Sequence, residues 1–295
     1  MVAGPARRRP AAPSSWVRAL PWLAPSLLGL IAFTLVPLLM LVWLSGTRWS
    51  LVGTAEWIGF SNVVRVATDE RWWHAVGVTA ALTALTVPME IVIGIIVGYA
   101  LSTKATTGGG GVTRAALLLP WMSAPLTAGV MMRWIFAPAD GALSRISGAR
   151  LDWLDSPLPA LLVVMAVVIW QSAGFAALIY AISFADVPQE LKDAAALDGC
   201  GELRTLIHVS LPSVRAMTVF LVLTGIVSTF GLYDVVIPLT AGGPLGATET
   251  VGMRIVSTAW EAFDFGAAAV MSLFALVIEL VLIGAVLLVL CRRSS

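Results

Sequence analysis

The sequence predicts an all-α membrane protein with six transmembrane helices, because its composition and the lengths of its apolar stretches both point to this fold class. Of its 295 residues, 59% are hydrophobic and 12% are charged, whereas about a quarter of the residues in soluble domains are charged. The mean hydropathy is +0.92. Six apolar stretches reach the roughly 20 residues that a helix needs to cross about 30 Å of hydrocarbon. Residues 19–291 should therefore form one transmembrane domain.

The distribution of basic residues predicts the orientation of these spans. Residues 1–18 form a predicted basic tail, and residues 292–295 form a second, short tail. With both termini in the cytoplasm, the cytoplasmic segments hold 11 Lys and Arg residues and the opposite segments hold 7, as the positive-inside rule expects. The predicted spans lie near residues 19–45, 75–102, 114–135, 158–184, 213–240 and 265–291.

A long polar segment interrupts the apolar second half of the chain from Asp186 to Pro212. Eight charged residues lie between Asp186 and Arg215, and none lies in residues 156–185 or 216–233. Such a density of charge is too costly for a bilayer interior. The segment is therefore predicted to be a cytoplasmic loop, either a solvated connector or a surface that contacts a partner.

The polar segment should fold as two short helices separated by a turn. Asp186 is expected to cap the first helix, with Pro188 in its first turn. The second helix should begin at Glu202 and end before Pro212, because the residue preceding a proline is pushed out of the helical region. Between them, a left-handed backbone at Gly199 would cost little, since glycine has no Cβ.

The order Asp193-Ala194-Ala195, Asp198-Gly199 and Leu211-Pro212 resembles the EAA loop of binding-protein-dependent ABC importer permeases. In that family the loop contains a coupling helix that docks on an ATPase subunit. The sequence departs from the family pattern at Asp193, where Glu is usual, and at Cys200, where Ala is usual. The resemblance implies the type I ABC importer permease fold with a cytoplasmic coupling loop at residues 186–212. The implied ATPase-coupling residues are Glu190, Asp193, Ala194, Ala195, Asp198, Gly199, Leu206 and Pro212.

Other segments resemble the carbohydrate-uptake permeases of the same family, namely residues 57–73, 119–141 and 233–266. The resemblance extends from about residue 20 to the C-terminus and points to the maltose and glycerol-3-phosphate permease group. It implies a protein of the bacterial cytoplasmic membrane that transports a sugar or sugar-like solute. The implied partners are a second permease subunit, an ATPase dimer that holds ATP and Mg²⁺, and an extracytoplasmic binding protein.

Three carboxylates lie in or at the edge of predicted spans: Glu90, Asp234 and Glu279. A charge near the bilayer centre costs at least about 2.5–3.5 kcal/mol on insertion scales, so each should face the bundle interior, a cavity or a partner. Glu90 and Glu279 could instead form interhelical hydrogen bonds. Trp170 could stack on a sugar ring, although tryptophans in spans often serve packing alone. The substrate-path candidates are Glu90, Trp121, Trp170, Gln171, Tyr233 and Asp234.

The sequence contains no signal for a cofactor or a nucleic-acid partner. A Walker A loop requires a Gly-Lys pair, and neither Lys104 nor Lys192 follows a glycine. We therefore expect ATP and Mg²⁺ on a partner subunit and none on this chain. His74 and His208 stand alone, without metal-ligand spacing. The net charge of +1 gives no reason to expect nucleic acid.

Two alternative functions remain to be tested against the importer interpretation. A proton-coupled secondary transporter could use Glu90 and Glu279, but it would favour two inverted halves with interrupted helices, and the sequence shows no such pairing. A membrane-embedded enzyme would need clustered nucleophiles at the ends of spans, and the sequence has none. Pro88, Pro120 and Pro125 indicate a kinked bundle.

Overall fold

The computed structural model describes residues 15–51, 53–103, 110–138, 140–149 and 152–292. The predicted tails before residue 15 and after residue 292 lie outside the described residues. Within the described residues, four helical stretches are long and apolar enough to cross a membrane. Two further helix pairs meet the same criteria but are sharply bent, so the number of spans rises to six if each bent pair crosses once.

The first apolar stretch runs through α1 (Ser15–Leu30), a π-helical turn (Ile31–Leu35) and α2 (Val36–Ser45). Pro37 has no N–H to donate, and the backbone just before it changes to π-helical bonding, with the Val36 N–H donating to the Ile31 carbonyl. Most of the side chains between residues 22 and 45 are exposed. This span lies at the periphery of the chain.

A short β-hairpin and a helix follow the first span. The strands β1 (Thr47–Arg48) and β2 (Glu56–Trp57) pair antiparallel, and α3 (Ser61–Ala67) comes next. Asn62 is buried and donates its side-chain N–H groups to the carbonyl oxygens of Ser45 at 3.0 Å and Thr47 at 2.8 Å. Asn62 therefore ties α3 to the end of the first span.

The third predicted span, residues 114–135, is not one straight helix. It consists of α5 (Gly110–Met122) and α6 (Pro125–Phe136), which meet at an angle of 93°. The bend lies before Pro125, where Ala124 is extended, as the steric effect of a proline on its predecessor requires. The helix α4 (Glu70–Thr103), which precedes this pair, continues through its own internal proline.

The centre of the fold is the long contact between α4 and α8 (Pro157–Ala185), which follows the short helix α7 (Ala142–Ser147). Gly94 and Gly98 of α4 face Ala176, Ala177 and Tyr180 of α8. A Cβ on Gly98 would lie 2.7 Å from the Ala177 carbonyl oxygen. This glycine spacing lets two membrane helices approach closely enough for backbone packing.

The polar segment and the helix after it occupy residues 186–230. The polar part contains α9 (Gln189–Leu197), α10 (Glu202–Thr205), a π-helical turn (Leu206–Ser210) and α11 (Leu211–Ser213). The membrane helix α12 (Arg215–Phe230) then departs at a bend of 74°.

The fifth predicted span, residues 213–240, is interrupted. Helix α12 ends at Phe230, residues 231–235 are not helical, and α13 (Val236–Thr240) completes the segment. The hydroxyl group of Thr250 donates to the carbonyl oxygen of Leu232 in this break. A broken helix in a membrane needs such partners for its freed backbone groups.

The chain ends with α14 (Val251–Trp260) and the apolar helix α15 (Phe265–Arg292). Arg65 of α3 donates to the Asn62 side-chain oxygen at 2.8 Å and forms an ion pair with Asp264 at 2.7 Å. Two segments that are far apart in sequence, residues 57–73 and 262–266, therefore meet at one junction beside the hairpin.

Candidate functional site

The polar segment presents α9 as an exposed helix. Its start differs from the prediction: Asp186 ends α8, and α9 begins at Gln189 with Pro188 in the capping position. The reason is that α8 continues to Ala185, which leaves Asp186 to donate its own N–H to the Ile182 carbonyl. Asp186 therefore does not cap the first helix of the loop.

The end of α9 is a Schellman motif, in which a left-handed residue follows the helix. The N–H of Cys200 donates to the Ala195 carbonyl at 2.9 Å, and the N–H of Gly199 donates to the Ala196 carbonyl at 3.0 Å. Gly199 has φ +76°, so the left-handed conformation that the sequence favours there is confirmed. A Cβ on Gly199 would meet no atom within 4 Å. Backbone strain, and not crowding, would therefore oppose a side chain.

The second helix of the loop continues further than predicted. It passes through the π-helical turn and includes Pro212, then ends at Ser213. The prediction that it stops before Pro212 is wrong. The backbone before Pro212 is π-helical, with the Leu211 N–H donating to the Leu206 carbonyl, the same pattern as before Pro37. This altered hydrogen bonding lets the helix continue past the proline.

Apolar residues fix both ends of the loop to the membrane helices. Val187, Leu206, Leu211 and Val214 pack in one cluster with Phe184 and Tyr180 of α8. Lys192 donates to the Phe184 carbonyl at 3.1 Å, at the C-terminal end of α8, where a positive charge is favourable. The Tyr180 hydroxyl donates to Thr218 of α12 at 2.9 Å. The loop therefore shares one apolar cluster with both α8 and α12.

The predicted coupling residues divide into an outer and an inner group. The outer group is exposed. It consists of Glu190, Asp193 and Ala194 on α9, Asp198 and Gly199 in the turn after it, and Pro212 in α11. Ala195 is buried, and Leu206 packs in the apolar cluster. Sequence reasoning did not single out the exposed apolar side chains of this surface, which are Leu191, Leu197, Leu203 and Ile207.

A cavity of about 560 Å³ lies between α4, α5, α8 and the break after α12. It brings together four of the six substrate-path candidates, and Trp170 and Tyr233 are not part of its lining. Glu279 of α15 is also outside the lining. The candidates that line the cavity are Glu90, Trp121, Gln171 and Asp234.

The cavity combines an aromatic wall with hydrogen-bonding groups. The Trp121 ring stacks on Phe175 with centroids 4.8 Å apart and an interplanar angle of 13°. Gln171 lies 3.5 Å from the Ser123 hydroxyl group. Glu90 is only 8% exposed, and Ser172 of α8 lines the same cavity, with its hydroxyl group donating to the Val168 carbonyl at 2.9 Å. Such a surface can stack on an apolar ring face and accept hydrogen bonds from hydroxyl groups.

Several cavity residues were missed by sequence reasoning. These are hydroxyl residues and one aromatic, none of which is unusual in a membrane helix: Ser172, Phe175, Thr224, Ser228 and Thr229. Phe175 follows Gln171 by four residues, a spacing that places both on one helix face, and this is the signal that could have found it. Among the described residues, no group of three His, Cys, Asp or Glu side chains could hold a metal ion.

Comparison with known proteins finds similarity to membrane components of transport systems. Residues 70–293 match the family described as "Binding-protein-dependent transport system inner membrane component". The chain is 28% identical to the sulfoquinovosyl glycerol transport system permease protein SmoG of Agrobacterium fabrum, over 86% of this chain and 84% of SmoG. It is 29% identical to the trehalose transport system permease protein SugA of Mycobacterium tuberculosis, over 82% and 78% of the two chains.

The fold also matches a solved structure. It aligns with a chain of a bacterial ABC transporter involved in the import of the acidic polysaccharide alginate, with a TM-score of 0.78 and 18% sequence identity. The alignment covers 95% of this chain and 96% of that chain. The overall fold of this chain has therefore been seen before in a solved structure.

Proposed function

Because this chain belongs to the family of binding-protein-dependent transport system inner membrane components, we propose that it moves a sugar or sugar-like solute across the membrane. It is a permease subunit of an ABC importer, and ATP hydrolysis belongs to a partner ATPase. The substrates named for its relatives, sulfoquinovosyl glycerol and trehalose, support the choice of a sugar-like solute. ATP and Mg²⁺ are accordingly assigned to the ATPase.

The observation on which this proposal depends most is the exposed surface of α9. Charged residues Glu190 and Asp193 alternate there with exposed apolar residues, of which Leu197 is 90% exposed. Leu191, Leu203 and Ile207 are exposed on the same loop, and a group of exposed apolar side chains beside polar ones is typical of a docking surface. We therefore assign α9 to contact with the ATPase, with the loop and both termini on the cytoplasmic side.

The inner residues of the loop would transmit the movement of the ATPase to the membrane helices. Lys192 of α9 donates to the Phe184 carbonyl, and Phe184 shares the apolar cluster with Leu206 and Val214. A shift of α9 would reach α8 and α12 by this route. Packed apolar contacts respond as a unit because protein interiors have little free volume. The role of Leu206 is thus to transmit force, and the exposed residues make the contact.

The cavity between α4, α5, α8 and α12 is the proposed path of the solute. Trp121 and Phe175 would stack on a ring face, and Gln171 and Asp234 would bind hydroxyl groups. The remaining partners in this proposal are a second, non-identical permease subunit that closes the open side of the cavity, and an extracytoplasmic binding protein that delivers the solute.

The test uses the complex reconstituted in liposomes with its second permease, ATPase and binding protein. Asp193→Lys and Leu197→Asp should each lower binding of the ATPase and solute-stimulated ATP hydrolysis, because both change the exposed surface of α9. Asp140→Lys is the control, since the side chain of Asp140 is 91% exposed in a loop remote from α9. Normal ATPase binding and uptake in both α9 variants would refute the docking role. Uptake driven by a proton gradient without ATP would favour a secondary transporter.

A further inference from the structure

An apolar groove of about 500 Å³ lies between the end of α2 and the hairpin that follows it. One wall is formed by Pro37, Leu41 and Leu44 of α2, which share a helix face because residues three and four apart are neighbours. The other wall is formed by Trp49 and Ala55 of the hairpin. Every described residue that lines this groove is apolar.

The hairpin wall is held in position from behind. The ring centroids of Trp49 and Phe265 lie 5.6 Å apart, and the Trp49 carbonyl accepts a hydrogen bond from the Phe265 N–H at 3.3 Å. The Trp260 ring packs edge-on against Phe265 with centroids 5.5 Å apart. The groove is therefore formed before any ligand arrives, which lowers the entropic cost of binding.

The position of the groove in the chain places it at the surface of the membrane. Its α2 residues lie in the last turns of the span Trp22–Ser45, and the hairpin begins directly after that span. Trp43 also lines the groove and is 53% exposed. Tryptophans gather at the level where acyl chains meet headgroups, so the groove faces lipid at that level.

A pair of opposite charges adjoins the groove. Arg48 and Glu56 face each other in the register of the hairpin and are the chain neighbours of Trp49 and Ala55. Arg48 Nη1 lies 3.6 Å from Glu56 Oε2, and the two side chains are 71% and 69% exposed. An ion pair this exposed contributes little to stability. Both charges can therefore turn to a ligand at small cost.

We propose that the groove binds an acyl chain of a zwitterionic phospholipid, phosphatidylethanolamine, with its phosphate at Arg48 and its ammonium group at Glu56. Arginine matches a phosphate with two parallel N–H donors. The primary ammonium group can donate to a carboxylate, which the trimethylammonium group of phosphatidylcholine cannot do. Phosphatidylglycerol has a phosphate but no cation for Glu56. This inference concerns lipid and not the transported solute, so it is independent of the proposed path.

The test measures lipids bound to the intact purified complex by native mass spectrometry. The complex is reconstituted with equal amounts of phosphatidylethanolamine, phosphatidylcholine and phosphatidylglycerol, then extracted in mild detergent. We expect phosphatidylethanolamine to be retained several-fold over the other two. Ala55→Trp, which fills the groove, should abolish this retention, and Arg48→Ala should weaken it strongly. Glu56→Gln should reduce the preference for phosphatidylethanolamine over phosphatidylglycerol.

The matched control is Arg145→Ala, because Arg145 forms a similarly exposed pair with Asp140 at 3.9 Å but does not line this groove. It should retain phosphatidylethanolamine as the unsubstituted complex does. Equal retention of the three lipids, or unchanged retention in Ala55→Trp, would overturn the inference. So would loss of the second permease subunit from the Ala55→Trp complex, which would identify the groove as a protein interface. None of these readouts depends on uptake.

Discussion

At the scale of single residues, the backbone conformation of Gly199 determines where the first helix of the loop ends. Its φ of +76° ends α9 and turns the chain toward α10. A residue with a Cβ pays about 1–2 kcal/mol for this left-handed conformation. Gly201, two residues later, has φ −71°. A Cβ on either glycine would meet no atom within 4 Å, so the two positions differ mainly in backbone conformation.

We expect Gly199→Ala to lower solute-stimulated ATP hydrolysis and uptake, because the strain would shift the end of α9. Gly199→Arg should have a larger effect, since it also adds a charged side chain to the docking surface. Gly201→Ala should leave both activities close to normal. The measurement is ATP hydrolysis and uptake by the reconstituted complex. Equal effects at Gly199 and Gly201 would show that the left-handed turn has no role in coupling.

Asp234 is a residue whose position depends on the break after α12. Its carboxylate accepts a hydrogen bond from the Val235 N–H at 3.1 Å and lines the cavity. We expect Asp234→Asn to weaken uptake with little loss of subunit assembly, since the change removes a charge but keeps the size of the side chain. Uptake assays and subunit pull-down are measured together, with Asp140→Asn as the exposed control. Parallel loss of uptake and assembly would indicate a structural hydrogen bond.

At the scale of elements, the close contact of α5 with α8 determines the shape of the cavity. A Cβ on Gly174 would lie 1.8 Å from the Leu117 carbonyl oxygen. Phe175 is next to this contact and stacks on Trp121 of α5. The aromatic wall of the cavity therefore depends on the absence of a side chain at Gly174.

Gly174→Ala should destabilise the complex and distort the cavity, because overpacking a tight contact typically costs about 1–3 kcal/mol. Gly284→Ala is the control, since a Cβ at Gly284 of α15 would meet no atom within 4 Å. We expect a lower Tm of the purified complex for Gly174→Ala. For Gly284→Ala we expect an unchanged or slightly higher Tm, because alanine is favoured over glycine in a helix by about 1 kcal/mol. An unchanged Tm in both variants would mean that α5 is free to move away from α8.

At the scale of the whole molecule, many apolar surfaces have no partner within the described chain. In the most apolar part of the span Trp22–Ser45 no residue is buried. Lipid can cover such a span. The polar loop exposes charged side chains next to leucines, and lipid cannot hydrogen-bond the charges while it also covers the leucines. We expect the chain expressed alone to be poorly stable after purification and to show no ATPase activity.

Co-expression with the second permease and the ATPase should restore a stable complex, because these partners cover the loop and the open side of the cavity. The measurement is the yield and monodispersity of the purified chain with and without its partners. Transport of a solute by the chain alone, driven by a proton gradient, would contradict this prediction and the importer function with it.

The sequence determined the features that depend on local composition and chain length. The apolar stretches predict a helical membrane protein, and the dense charge of residues 186–212 predicts a loop outside the bilayer. The helix break at Asp198-Gly199 predicts the left-handed turn, because glycine adopts a positive φ at little cost. The order of motifs in this loop was enough to indicate the permease family, which the match over residues 70–293 confirms.

Only the tertiary structure decided which residues meet. It placed the bend before Pro125, although Pro88 and Pro120 carry the same local signal and leave their helices continuous. It brought Glu90 and Asp234 to one cavity and left Trp170 and Tyr233 outside it. The physical reason is that the side of a helix that faces the interior is selected by its neighbours through close packing. When a helix is apolar on every side, its local sequence does not specify which helices will be its neighbours.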